Sequence, residues 1–313
     1  MRLAAALVAL SLVSGCATQS AALRAAPPDG LAAPVELTAT PFVPQTRFHC
    51  GPAALATVLG AAGIAADATR LGDEIFLPAR SGTLQLEMLA GARRAGAVAT
   101  RIPPTMESAL RELHAGHPGL VLQNLGLSFA PTWHYAVLVG ADLDRGEVVL
   151  RSGTVERELM SMQTFERTWQ RAGGWGIVVL PPGRWPATAE RAAVIEAAIG
   201  FERVASGERA AAVYRSAIER FGADVTLGVG LGNTLHAAGD LRGAEAAFGD
   251  AARRFGSVPA WINLARTRLA LGNVAGARAA ADSARALGDA AWSEPLAALE
   301  RDLAQTNDSS PRR

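Results

Sequence analysis

The chain has 313 residues, with 30 basic against 29 acidic side chains, five histidines and two cysteines. Its length allows two domains with separate cores, and a formal net charge of +1 excludes the strongly basic face that nucleic acid binding requires. The glycine-rich run from Gly228 to Gly232 falls in a helical repeat rather than at a strand-to-helix turn. His114 and His117 lack a third ligand at metal-site spacing, so no nucleotide, cofactor or metal is expected.

Met1 and Arg2 precede an apolar run from Leu3 to Val13, too short to span a bilayer and suited to a secretory signal. The run ends in Leu12-Val13-Ser14-Gly15-Cys16, which resembles the lipobox of bacterial lipoproteins. That resemblance implies cleavage before Cys16, lipidation of Cys16, and a mature chain attached to the membrane and facing the periplasm. Ala17 after the cysteine implies the outer rather than the inner membrane. Residues 1–15 are thus a predicted signal peptide, and residues 16–33 a flexible tether.

Alternation over residues 35–43 predicts a strand. With Cys16 acylated, Cys50 has no disulfide partner although the compartment is oxidising. In Cys50-Gly51-Pro52 the proline marks a first helical turn, and Ala53, Ala54, Leu55, Val58 and Leu59 continue as an apolar helix. Cys50 then stands at a helix N-terminus, where the macrodipole and free N–H groups favour an anion, so the position reads as a reactive thiol rather than a small core residue. A second helix is predicted from Leu84, Leu86, Met88, Leu89 and Ala92, and a third over residues 106–114.

A nucleophile needs a base. His49 adjoins Cys50 and diverges from it, His114 and His117 fall at a polar helix end, and His236 lies in the C-terminal helical region. His134 opens His134-Tyr135-Ala136-Val137-Leu138-Val139-Gly140, a buried-looking strand that would hold an imidazole rigidly at a cleft edge. Strands are also predicted over residues 119–122, 147–150 and 175–180, and helices followed by an antiparallel sheet make an α+β domain. Trp133 and Trp175 are candidates to cover the cleft or to pack in the core.

These residues carry a second resemblance. Gln45, Cys50-Gly51-Pro52-Ala53-Ala54-Leu55, the strand from Gly119, and His134-Tyr135-Ala136-Val137-Leu138-Val139-Gly140 look like the double-glycine leader peptidase family of papain-like cysteine peptidases, over residues 34–182. The resemblance implies Cys50 as nucleophile, His134 as general base and Gln45 as an oxyanion donor beside the Cys50 N–H, an arrangement suited to a tetrahedral intermediate. The family's histidine-orienting Asp is missing, and Ser152 stands in its place. A hydroxyl can fix the imidazole tautomer but gives an imidazolium little charge stabilisation. Asn124 is a further candidate orienter, while Asp142 and Asp144 read as hairpin-turn residues.

Residues 183–188 are a proline- and glycine-containing linker. Beyond them Tyr214, Ala217, Phe221 and Gly222 recur as Phe248, Ala251, Phe255 and Gly256 thirty-four residues later, the period of tetratricopeptide repeats. Residues 189–304 therefore resemble tetratricopeptide-like units with a capping helix, a binding rather than catalytic architecture, and residues 305–313 are a predicted disordered tail. The whole reads as a cysteine peptidase acting on a peptide or protein substrate, anchored through Cys16, with a protein partner on the repeats. An inactive peptidase-fold binding protein and a transglutaminase-like acyl transferase are the alternatives.

Overall fold

The computed structural model describes residues 18–45, 50–205 and 207–308. Cys16 and His49 lie outside them. The chain divides into two compact units, one of residues up to 181 together with 185–197, the other of residues 182–184 together with 198 onward.

The first unit is built on a seven-stranded antiparallel sheet. Its spatial order is β2 (Val98–Arg101), β7 (Gly176–Leu180), β3 (Gly119–Asn124), β4 (Trp133–Asp142), β5 (Glu147–Ser152) and β6 (Val155–Ser161), and β1 (Val35–Glu36) pairs with the far end of β4. One face carries α2 (Cys50–Ala61), α3 (Ala68–Ile75) and α4 (Gln85–Arg94) over Leu120, Leu122, Val137 and Val139. The other carries α1 (Thr18–Ala25), α5 (Met106–His114) and α6 (Met162–Gln170) over Val121, Ala136, Leu138 and Leu150. Because both faces are covered, β3 and β7 are buried at every position and read as continuous apolar runs instead of alternating. Gly140 is required where β1 joins: a Cβ there would lie 2.9 Å from the Val35 carbonyl oxygen.

The α2 helix is buried from Gly51 through Leu59, so it is apolar all round and runs through the core rather than over it. Gly51 lets its first turn approach the loop before α4, since a Cβ would fall 2.9 Å from the Thr83 side chain. Helix α5 starts at its Thr105 cap, whose hydroxyl accepts from the Ser108 N–H.

Two buried carboxylates hold segments that the sequence assigned to connections. Glu166, 3% exposed, accepts from the N–H groups of Gln19 and Ser20 and from the Ser20 hydroxyl at 2.6–3.0 Å, while Gln19 Oε1 accepts from the Met106 N–H. Thus the expected flexible tether is, from Thr18, a docked helix with its free N-terminal donors on a carboxylate. Glu112 is fully buried and accepts from the Ala187 N–H, the Thr188 N–H, the Thr188 hydroxyl and His117 Nδ1. The expected linker is therefore pinned to the first unit, and its Trp185 is buried. His117, expected at a polar helix end, is buried as well.

The second unit is helical. After α7 (Arg191–Glu202), helices α8 (Glu208–Phe221), α9 (Val225–Ala237), α10 (Leu241–Phe255), α11 (Val258–Ala270), α12 (Val274–Leu287) and α13 (Ser293–Asp308) follow, each from α8 onward packing on the next. Asp224, Asp240, Ser257 and Asn273 cap four of them through their side chains. Small residues sit where large ones interlock: a Cβ on Gly230 or Gly232 would come within 2.4 Å of the Tyr214 or Phe248 ring. Helix α13 runs to Asp308, beyond the expected start of the tail.

One further expectation is corrected. The strand over residues 35–43 is ladder only at Val35–Glu36; Leu37 adds one bond to the Val139 carbonyl, and the chain then turns through Thr40 and Pro41. Strands β2 and β6 and helices α3 and α6 were not anticipated.

Candidate active site

Cys50 is the first residue of α2 and is half-buried at the mouth of a narrow cleft, where Gln45, Ala54, Tyr135, Arg151 and Ser152 are its neighbours in the lining. Its thiol is free. The N–H groups of the first helical turn have no intrahelical partner, which leaves the Cys50 N–H available to an incoming oxygen. Below it, the Tyr135 hydroxyl donates to the Thr83 carbonyl at 3.2 Å and the Tyr135 ring meets Trp175 edge-on at 5.7 Å. Burial, with the neighbouring Cys50, pushes the Tyr135 hydroxyl far above its ordinary titration range, so it stays a neutral donor.

The β5–β6 hairpin organises the other side of the cleft. Gly153 and Thr154 form its two-residue turn between the paired Ser152 and Val155, and Gly153 has φ +61°, a left-handed conformation suited to glycine. The Gly153 carbonyl accepts from the Gln45 N–H at 3.0 Å, fixing Gln45 against the turn. Gln45 Oε1 is buried and has no hydrogen-bond partner among the described residues. Arg151, 6% exposed, donates to the carbonyls of Thr38, Thr40 and Glu156. It thereby staples the segment leading to Gln45 onto the same hairpin.

His134 lies near the start of β4, half-buried, directly opposite Gln123 of β3. Its Nε2 is 3.0 Å from Ser152 Oγ. That contact leaves Nδ1 as the ring nitrogen free for proton transfer. Burial holds the His134 pKa below the usual 6.5, opposed by the charge of Glu158, so the ring rests neutral, as a base must. Among the described residues no hydrogen bond joins His134 to the Cys50 thiol. The structure thus brings Cys50, Gln45 and Ser152 to one cleft. His134 is not in that lining; by the alternation of β4 it lies on the sheet face opposite Tyr135 and α2, and it reaches the cleft residues only through its contact with Ser152.

Asn124 is not an orienter of His134. Its Oδ1 accepts from the N–H groups of Gly126 and Thr132, and its Nδ2 donates to the Leu127 carbonyl at 3.4 Å, so the side chain is spent closing the β3–β4 loop. Asp142 caps the β4–β5 turn by accepting from the Arg145 N–H. Of the two tryptophans, Trp175 is core and Trp133 is 55% exposed. Sequence reasoning missed Arg151, Tyr135 and Glu158; the alternation of β4 alone puts Tyr135 on the face opposite His134. Among the described residues no group of three or more His, Cys, Asp or Glu side chains is placed to hold a metal ion, and no helix is long and apolar enough to cross a membrane.

A wider concavity beside α3, lined by Asp67, Arg70, Glu74 and Arg94, holds no nucleophile. Its Glu74 accepts from Arg70 at 3.1 Å and Arg94 at 3.3 Å, an ion-pair network on the surface.

No protein-family profile matches the chain, and no curated protein does. Among solved structures, a putative C39-like peptidase from Bacillus anthracis is 20% identical, in an alignment covering 47% of this chain and 98% of that one, with a TM-score of 0.39. The peptidase domain of Streptococcus ComA, a bi-functional ABC transporter involved in a quorum-sensing pathway, is 22% identical, covering 45% of this chain and 98% of that one, with a TM-score of 0.37. Likeness of this degree carries no chemistry over to the chain, whose site is read from its own residues.

Proposed function

We propose that the chain is a cysteine peptidase hydrolysing a peptide bond through Cys50 and His134. The observation that carries this reading is a free thiol opening a buried helix, in a cleft shared with Gln45 and with Ser152, whose hydroxyl contacts His134. In the cycle, His134 Nδ1 takes the thiol proton as Cys50 Sγ attacks the carbonyl carbon. Gln45 and the Cys50 N–H hold the resulting oxyanion. The protonated ring returns its proton to the departing amine, and water, deprotonated by the same ring, releases the acyl group as an acid. Because Nε2 stays on Ser152, the ring keeps one orientation through both halves.

In the same reading the chain is lipidated at Cys16 and faces the periplasm from the outer membrane. The second unit, whose thirty-four-residue recurrence is matched by buried Tyr214 and Phe248, recruits a protein partner as tetratricopeptide-like repeats do.

The test is alkylation of Cys50 by iodoacetamide from pH 4 to 9, with peptide-library hydrolysis alongside, in wild type, Cys50→Ala and His134→Ala. The expected result is cleavage lost in Cys50→Ala, and His134→Ala lowering turnover by about a hundredfold or more. Labelling and turnover indifferent to His134→Ala would instead favour an inactive peptidase-fold binding protein, a reading to which Ser152 in place of a carboxylate and the absent Cys50–His134 bond lend weight.

A further inference from the structure

A catalytic histidine oriented by a serine lacks the negative charge that would favour its protonated form. We infer that Glu158 is the acidic positioning residue of this site, supplying that charge to His134 through Ser152.

Three observations lead there. First, when His134 carries its proton on Nε2, Ser152 Oγ accepts it. The Ser152 hydroxyl then has one hydrogen of its own to donate, and a carboxylate is its best acceptor. Second, the ladder places Glu158 on the required face. Leu138 pairs with Leu150, and Leu150 pairs with Glu158; Leu138 and Leu150 point into the same core. His134, four residues before Leu138, and Ser152, two after Leu150, share that face by the two-residue period of strands. The irregularity in the β5–β6 register between Leu150 and Ser152 falls between the two groups to be joined. Third, Glu158 is half-buried and no ion pair engages it among the described residues. Its neighbour Arg157 projects the other way, onto Glu36 at 2.8 Å.

The electrostatics agree, since Glu158 is the group whose charge opposes the effect of burial on His134. Other elements on this face bring Gln123 from β3 and Thr168 from α6, both neutral and bonded to each other at 2.7 Å. Arg171, at the end of α6, is held by the Asn124 carbonyl at the loop base. No hydrogen bond joins Ser152 and Glu158 among the described residues; they share a face on adjacent strands, from which the carboxylate acts on the hydroxyl and ring by its charge rather than by direct contact. In the catalytic step the proton moves from Cys50 Sγ to His134 Nδ1, and Ser152 and Glu158 polarise toward the new positive charge without changing protonation.

This inference rests on the peptidase reading, and the experiment separates the two. The His134 ring is titrated by NMR in the full-length chain, its signals identified by their loss in His134→Gln, for wild type, Glu158→Gln, Glu158→Asp, Ser152→Asp and Ser152→Asp/Glu158→Gln. Glu158→Gln is expected to lower the ring's midpoint by about 0.5, a roughly threefold loss of proton affinity, and Glu158→Asp to retain most of it. Ser152→Asp is expected to raise the midpoint and to shrink the effect of Glu158→Gln added to it. An unmoved midpoint in Glu158→Gln, or an equal displacement with and without Ser152→Asp, overturns the inference. Because the titration reads no turnover, a chain whose ring responds as expected but cleaves no peptide defeats the peptidase reading alone.

Discussion

The buried carboxylates of the first unit and its candidate cleft solve the same problem in opposite ways. Glu112 and Glu166 are sealed from water and saturated with donors, four on the first and three on the second. At His134 the acceptor is a hydroxyl, and Glu158, the group whose charge reaches the ring, sits on another strand. The difference teaches that a carboxylate bound on every side fixes a chain segment, whereas a catalytic histidine needs a field weak enough to leave it basic and free to give its proton back. Burial that costs Glu112 little, because its donors offset it, leaves His134 neutral.

The comparison can be broken most sharply at Glu112. Glu112→Ala strands two N–H groups, a hydroxyl and an imidazole away from water, and is expected to cost about 3–5 kcal/mol, read from the urea midpoint. Burial alone would push the Glu112 carboxyl up, yet bonds from His117, Thr188 and Ala187 hold it below the usual 4.5. Its contribution is therefore complete above pH 4.5 and lost as pH falls through the lowered folded value, and urea titrations between pH 3 and 7 should show that slope shrink in the variant. Glu166→Gln keeps the shape but turns one acceptor into a donor facing α1, for an expected loss of about 1–3 kcal/mol and faster hydrogen exchange at Gln19 and Ser20. Ser152→Ala should move stability by less than about 1 kcal/mol while lowering turnover about tenfold, the reverse of the Glu112 pattern. Arg70→Ala, which removes an exposed helical partner of Glu74, should stay within about 0.5 kcal/mol and leave turnover unchanged. A large effect there would mean that the concavity beside α3 matters to the fold.

What the sequence made legible follows from the range of the forces involved. Helix α5 was readable to the residue because its cap and its apolar stripe are local. Cys50 was singled out by its place at a predicted helix start, whereas Gln45 and Ser152 entered only through the resemblance to a peptidase family. Strand β6 was invisible: it is exposed at most positions along its length, and its sequence Val155-Glu156-Arg157-Glu158-Leu159-Met160-Ser161 shows no apolar–polar alternation. With it went Glu158, whose relation to His134 exists only once two hairpins are registered. Asn124 misled because an amide at a strand end serves a loop as readily as a cleft, and residues 18–25 looked like tether because the carboxylate that docks them lies 146 residues away, at Glu166.

That docking sets a length scale. From Cys16 to Thr18 is two residues, a reach of about 7 Å at full extension. In the proposed lipidated form, a lipid on Cys16 would act as a short post rather than a leash, and the proposed substrate would have to come to the bilayer surface to be cut. Helix α1 covers the sheet face opposite the one on which α2 packs, so the helix bearing the thiol stands on the side of the sheet away from the docked α1, and in the proposed lipidated form lengthening the post by inserted residues would widen the reach of the cleft without altering it.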